Sequence, residues 1–157
     1  MNKLKILFGI IALLLFGYTI GIIQSIILLD NYQLIVDARK SEMIFGEFDY
    51  FIDKLLIISI CAGLIICLKC IYEILKKGFF TTISKKHMKY AGYIFLIVGT
   101  ISAILDSIRF FAGNLRGVLL NNILIGLLVG LLGFIVLIIA DMARTGYQLK
   151  SENDLTI

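Results

Sequence analysis

Apolar residues in this chain run together rather than alternating with polar ones. Four stretches, 6–29, 55–75, 90–111 and 118–140, carry very little charge. Each is about 20 residues or longer, enough to cross roughly 30 Å of hydrocarbon at about 1.5 Å per residue. Inside lipid every backbone N–H and C=O must find its partner within the segment, so each stretch predicts a helix. The pattern therefore predicts an all-α integral membrane protein: a four-helix up-down transmembrane bundle, one domain over 1–157. The longest segments outside the spans are an outer loop at 30–54, an inner loop at 76–89 and a tail at 147–157. Lys3 and Lys5 ahead of the first stretch resemble a signal peptide. Its apolar part is longer than the usual 7–15 residues and no small-x-small site follows, so it is expected to stay as the first span.

Each span also carries a stripe of small or polar residues at helical spacing. These are Gly17, Gly21 and Gln24; Ser59, Gly63, Cys70 and Glu73; Gly92, Gly99, Ala103 and Asp106; and Asn122, Gly126, Gly133, Ala140 and Arg144. In lipid, small residues let helices approach closely and polar side chains seek one another, so these faces are expected to point inward and make the bundle compact. Gly17 with Gly21, and Gly126 with Gly130, form GxxxG repeats. Packing within the bundle is their expected use, with homo-oligomerisation the alternative.

The connections carry their own signals. The outer segment 30–54 mixes acids with Leu34, Ile35, Val36, Met43, Ile44 and Phe45. It reads as a continuation of the first helix or as a short interfacial helix. Gly78 suits a left-handed C-cap after the second span. Ser84 suits the next N-cap, with Ile83 and Met88 as a hydrophobic staple. The short stretch 113–117 makes the last two spans antiparallel neighbours. Gly146 is expected to end the fourth helix.

Composition agrees with a membrane class: 60% of residues are hydrophobic, mean hydropathy is +1.00 and 17% are charged, against about 25% charged in soluble domains. Charge then orients the chain. Ten of the fifteen Lys and Arg residues fall on the side of the two termini, concentrated at Lys76, Lys77, Lys85, Lys86 and Lys89. The acids Asp30, Asp37, Glu42, Glu47, Asp49, Asp53 and Asp106 fall on the other. By the positive-inside rule both termini are expected to be cytoplasmic, in a multi-pass protein of the cell membrane. The net charge of +4 is thus read as attraction to anionic lipid, not to nucleic acid.

Few residues suggest chemistry. Glu73 and Arg144 lie on inward faces near the cytoplasmic ends of their helices, so they could pair; the competing partner for Glu73 is Lys69, Lys76 or Lys77 on its own helix. Asp106 is an acid well inside a span, and a salt bridge to Arg109 is expected in preference to an ion or proton site. Cys61, Cys67 and Cys70 include a CxxC, Cys67-Leu68-Lys69-Cys70. Four-helix membrane thiol oxidoreductases of the vitamin K epoxide reductase type also use a CxxC, but on the outer side and with a second cysteine pair. Here the motif falls toward the reducing cytoplasmic side, so buried small side chains are the better reading. His87 reads as a solvated residue in a basic turn, and three thiols with one histidine make no tetrahedral metal set. No nucleophile–base–orienter triad, phosphate loop or paired carboxylates occur. The expectation is a non-enzymatic protein without catalytic, cofactor or metal residues.

Two short motifs carry a family likeness. One is Lys77-Gly78-Phe79-Phe80-Thr81; the other is the end of the chain from Gly146 to Ile157. Together they resemble a family of small four-span bacterial membrane proteins of unassigned function. In that family a Gly-x-Phe-Thr-like inner loop accompanies a tail of the form Gly-x-x-Leu-x-x-Glu-x-Asp-Leu-Thr-Ile/Val. Matching positions are Gly78, Phe80 and Thr81 in the loop, and Gly146, Leu149, Glu152, Asp154, Leu155, Thr156 and Ile157 in the tail. Phe79 departs from the pattern, since members often carry proline there. The resemblance implies a bacterial cytoplasmic membrane and, because members are often encoded beside a Cro/CI-type helix-turn-helix regulator, a small cytosolic protein partner. The expected role is regulatory interaction through the cytoplasmic face, where the tail either folds back on the inner loop or docks the partner. A small transport subunit or an immunity-type protein is the alternative, and a membrane thiol oxidoreductase the third.

Overall fold

The computed structural model of the chain describes residues 2–27, 46, 48–78, 81–112 and 116–154, with side chains described at 2–24, 46, 48–78, 81–112, 120–143, 145 and 146. Four helices account for nearly all of these: α1 Asn2–Ile27, α2 Phe48–Lys77, α3 Thr82–Ala112 and α4 Arg116–Asp154. All four are long and apolar enough to cross a membrane. The protein is a multi-pass membrane protein with four spans, packed as an all-helical bundle.

Among the described residues the extensive contacts follow chain order, α1 on α2, α2 on α3 and α3 on α4. The bundle is thus arranged more as a row of successive neighbours than around one common centre to which all four stripes point. The α3–α4 joint is the tightest. A Cβ placed on Gly99 would strike the backbone of Gly130 and Gly126, and one on Gly92 would lie 2.8 Å from Leu137 Cγ. These contacts pair early α3 with late α4, so the two helices run antiparallel. The α2–α3 joint is intermediate: a Cβ on Gly63 would meet the Phe95 ring at 2.8 Å. On α1, nothing among the described residues lies within 4 Å of such a Cβ at Gly17 or Gly21. That glycine face and Gln24 are exposed instead, contrary to the inward position expected of them. The half-buried positions of α1, including Leu4, Ile11, Leu15 and Thr19, repeat at helical spacing and are mostly large aliphatics, which hold the helices further apart than glycine does.

Helix limits differ from the hydropathy pattern wherever a cap or polar residue extends a helix. The outer connection is shorter than 30–54, because α2 already begins at Phe48; what remains of it up to 45 lies outside the described residues. Gly46, at φ 60, accepts the Asp49 N–H at 3.2 Å and starts the turn. At the inner end Gly78 has φ 90 and its N–H donates to Ile74 O at 2.9 Å, a left-handed close to α2. The N-cap of α3 is Thr81, not Ser84. Thr81 Oγ1 accepts the Ser84 N–H at 3.2 Å, and the Ser84 hydroxyl bonds back to Thr81 O at 3.0 Å. Ser84 therefore occupies the third helical position, with its N–H capped by Thr81. At the other end, α4 passes through Gly146 and continues to Asp154. One glycine in a helix costs only about 1 kcal/mol relative to alanine, which the flanking turns absorb.

Candidate functional site

The densest polar cluster lies where the start of α2 meets the end of α3. Arg109 is on the last turn of α3 and Asp49 on the first turn of α2. Each charge has the sign that its helix terminus favours. Arg109 Nη2 donates to Asp49 Oδ1 at 2.8 Å and to Asp53 Oδ1 at 3.0 Å, while Nη1 donates to Asp106 Oδ1 at 3.0 Å. The Ser102 hydroxyl reaches Asp106 Oδ2 at 3.4 Å. Arg109, Asp49 and Asp106 are buried and Asp53 is half-buried. A planar guanidinium with donors in a fixed fork is suited to bridging several carboxylates in this way.

The structure brings Asp106 and Arg109 together, as their three-residue spacing suggests. Sequence reasoning missed Asp49 and Asp53, which it assigned to the outer loop. The signal that could have found them is the spacing of two acids four residues apart, just ahead of an apolar run, which share one face of a helix that starts early. Other described hydroxyls in the spans, including Thr19, Ser59, Thr100 and Ser107, donate to carbonyls three or four residues back on their own helices. They satisfy themselves locally and add no partner to the cluster.

The opposite end of the bundle collects the remaining candidates. Glu73 Oε2 is 3.1 Å from Lys77 Nζ one turn further on, a charge contact without a well-directed hydrogen bond. The Arg144 side chain lies outside the described residues, so the Glu73–Arg144 pairing does too. Thr81 and Gly78 form the two caps described above. Gly146 is half-buried within α4, and the backbone of Leu149, Glu152 and Asp154 continues that helix. Phe80, Leu155, Thr156 and Ile157 lie outside the described residues. Lysines here are laid over tyrosines one turn away, with Lys76 Nζ 5.9 Å from the Tyr72 ring, Lys86 5.8 Å from Tyr90 and Lys89 5.9 Å from Tyr93. Such pairs suit the headgroup level of a membrane.

Cys61 and Cys70 are buried, Cys67 is half-buried, and all three are thiols. Cys70 Sγ donates to Ser84 O at 3.4 Å, which ties α2 to the first turn of α3. Nine residues of helix separate Cys61 from Cys70, about 13 Å along the axis, so the three thiols cannot converge. Among the described residues no group of three or more His, Cys, Asp or Glu side chains could hold a metal ion. His87 is not in a turn. It stands half-buried on α3, facing a groove shared with α2.

Comparison with known proteins matches residues 50–157 to a family described as proteins of unknown function, DUF2975. That range covers more than half of the chain, and the chain belongs to this family. The match takes in nearly all of α2, the whole of α3 and α4, and the tail; α1 precedes it. No curated protein and no solved structure matches the chain.

Proposed function

We propose that this DUF2975 member is a non-enzymatic regulatory protein of the bacterial cytoplasmic membrane, with both termini inside, that docks a small soluble partner on its cytoplasmic face. The partner implied by the family resemblance is a Cro/CI-type helix-turn-helix regulator, which membrane capture would withdraw from DNA. The protein itself would touch no nucleic acid.

The observation that carries this reading is the course of α4. Its 39 residues make a rod of about 58 Å, while the hydrocarbon layer needs only about 30 Å. Its apolar run ends at Ala140, just before Asp141. Residues beyond Gly146 are therefore carried onward on a preformed helix, which favours docking over a tail folded back on the inner loop. An ordered helix also lowers the entropy lost when a partner binds.

Flotation of the regulator with liposomes bearing the full chain tests this directly. Co-flotation is expected, and a chain ending at Gly146 should lose it. Replacing Leu155 and Ile157 by Ser should weaken capture and leave bundle stability unchanged. Absence of co-flotation with the full chain, or equal capture by the shortened one, would overturn the reading. A transport subunit or an immunity-type protein is the second reading, favoured by the buried carboxylate–guanidinium cluster at the far end of α2 and α3.

A further inference from the structure

A groove of about 670 Å³ opens between α2 and α3 at the lysine-rich end. Its walls change character with depth. Ile65 and Ile66 line it on the apolar run of α2, and Tyr90 faces them from α3. One turn nearer the end of the bundle it is lined by Lys69, Lys86 and His87. Lys69 stands exposed two turns inside the end of α2, one turn before Glu73, whose carboxylate contacts Lys77 instead. Lys86 is held over the Tyr90 ring at 5.8 Å, along the groove wall. Among the described residues, no carboxylate lines this groove. Glu73 is next to Lys77, and Asp141 lies in an adjoining groove that shares Thr82 and Lys86 with this one.

Cations above an apolar floor, at the depth where a span meets its headgroups, complement one chemical shape. We propose that this groove is a binding site for an anionic phospholipid. The phosphate sits among Lys69, Lys86 and His87, and an acyl chain lies along Ile65 and Ile66. Basic pockets between membrane helices recognise lipid headgroups by the same combination of charge and adjoining hydrocarbon. Thr82 and Ile83, at the first turn of α3, add the positive end of a helix to the same wall.

The chain has no tryptophan, so Ile65→Trp places a single reporter in the groove. In liposomes, brominated phosphatidylglycerol should quench it in clear preference to brominated phosphatidylcholine. Lys69→Gln with Lys86→Gln should reduce that preference by about five-fold for each lysine. Lys76→Gln with Lys77→Gln removes the same charge outside the groove and should leave it nearly intact. Equal quenching by both lipids, or equal loss in the two double variants, would reduce the site to general surface attraction and overturn the proposal. Inorganic phosphate that abolishes the preference would make the ligand a soluble anion and overturn the lipid assignment. Native mass spectrometry of the unaltered protein, offered both lipids in detergent, gives a second readout. Retained phosphatidylglycerol is expected, and equal retention of the two lipids counts against the site.

Discussion

The first helix and the last two make opposite uses of the same residue type. On α3 and α4, glycines let two backbones touch, with Gly99 seated against Gly126 and Gly130. On α1, Gly17 and Gly21 have the same GxxxG spacing, and a Cβ on either would meet nothing among the described residues within 4 Å. None of the α1 apolar window is buried within the bundle, against 33% for α3. A small-residue motif is permission for close approach, and whether it is used depends on a complementary face. Gly92, Gly99 and Ala103 supply that face to α4; the α1 glycines have turned away from α2. The family match likewise begins at residue 50, just inside α2. The matched residues thus include the α3–α4 joint, the most closely packed part of the bundle.

The comparison can be broken by removing what holds that part together. Arg109→Met should have the largest effect, a loss of about 3–5 kcal/mol, because Asp49 and Asp106 would stay buried without their guanidinium. Unfolding in mixed micelles of rising denaturing-detergent content measures it, and an unchanged midpoint would mean that the cluster contributes little. Gly99→Ala should cost about 1–3 kcal/mol, since its methyl can be accommodated only by moving α3 from α4. Gly17→Ala should cost nothing and gain up to about 1 kcal/mol, since the new methyl meets no described neighbour and alanine is the better helix former. If Gly17→Ala costs as much as Gly99→Ala, the distinction between the two faces fails.

Much of the site was readable before folding was considered. Asp106 and Arg109 were legible as a pair because their spacing alone places them together on a helix. Gly78 was legible as a C-cap because a left-handed residue after a helical run is most often glycine. Asp49 and Asp53 were not, because hydropathy places a helix start at the first apolar residue and undervalues a polar first turn. The N-cap moved from Ser84 to Thr81 for a related reason: both hydroxyls can cap, and only the backbone path decides which is outside the helix. Gly146 misled in the opposite sense, since α4 was already long enough to carry one poor helix former.

The sequence by itself determined four membrane helices, because lipid leaves the backbone no alternative once apolar runs reach that length. It also determined which residues were small or charged enough to be candidates for contact. Only the tertiary structure decided which glycine faces met a partner, that Asp49 and Asp53 joined Arg109, and that α4 ran on past Gly146. Those outcomes depend on the rotation and register of one helix against another, and neither is encoded in a single helix considered alone.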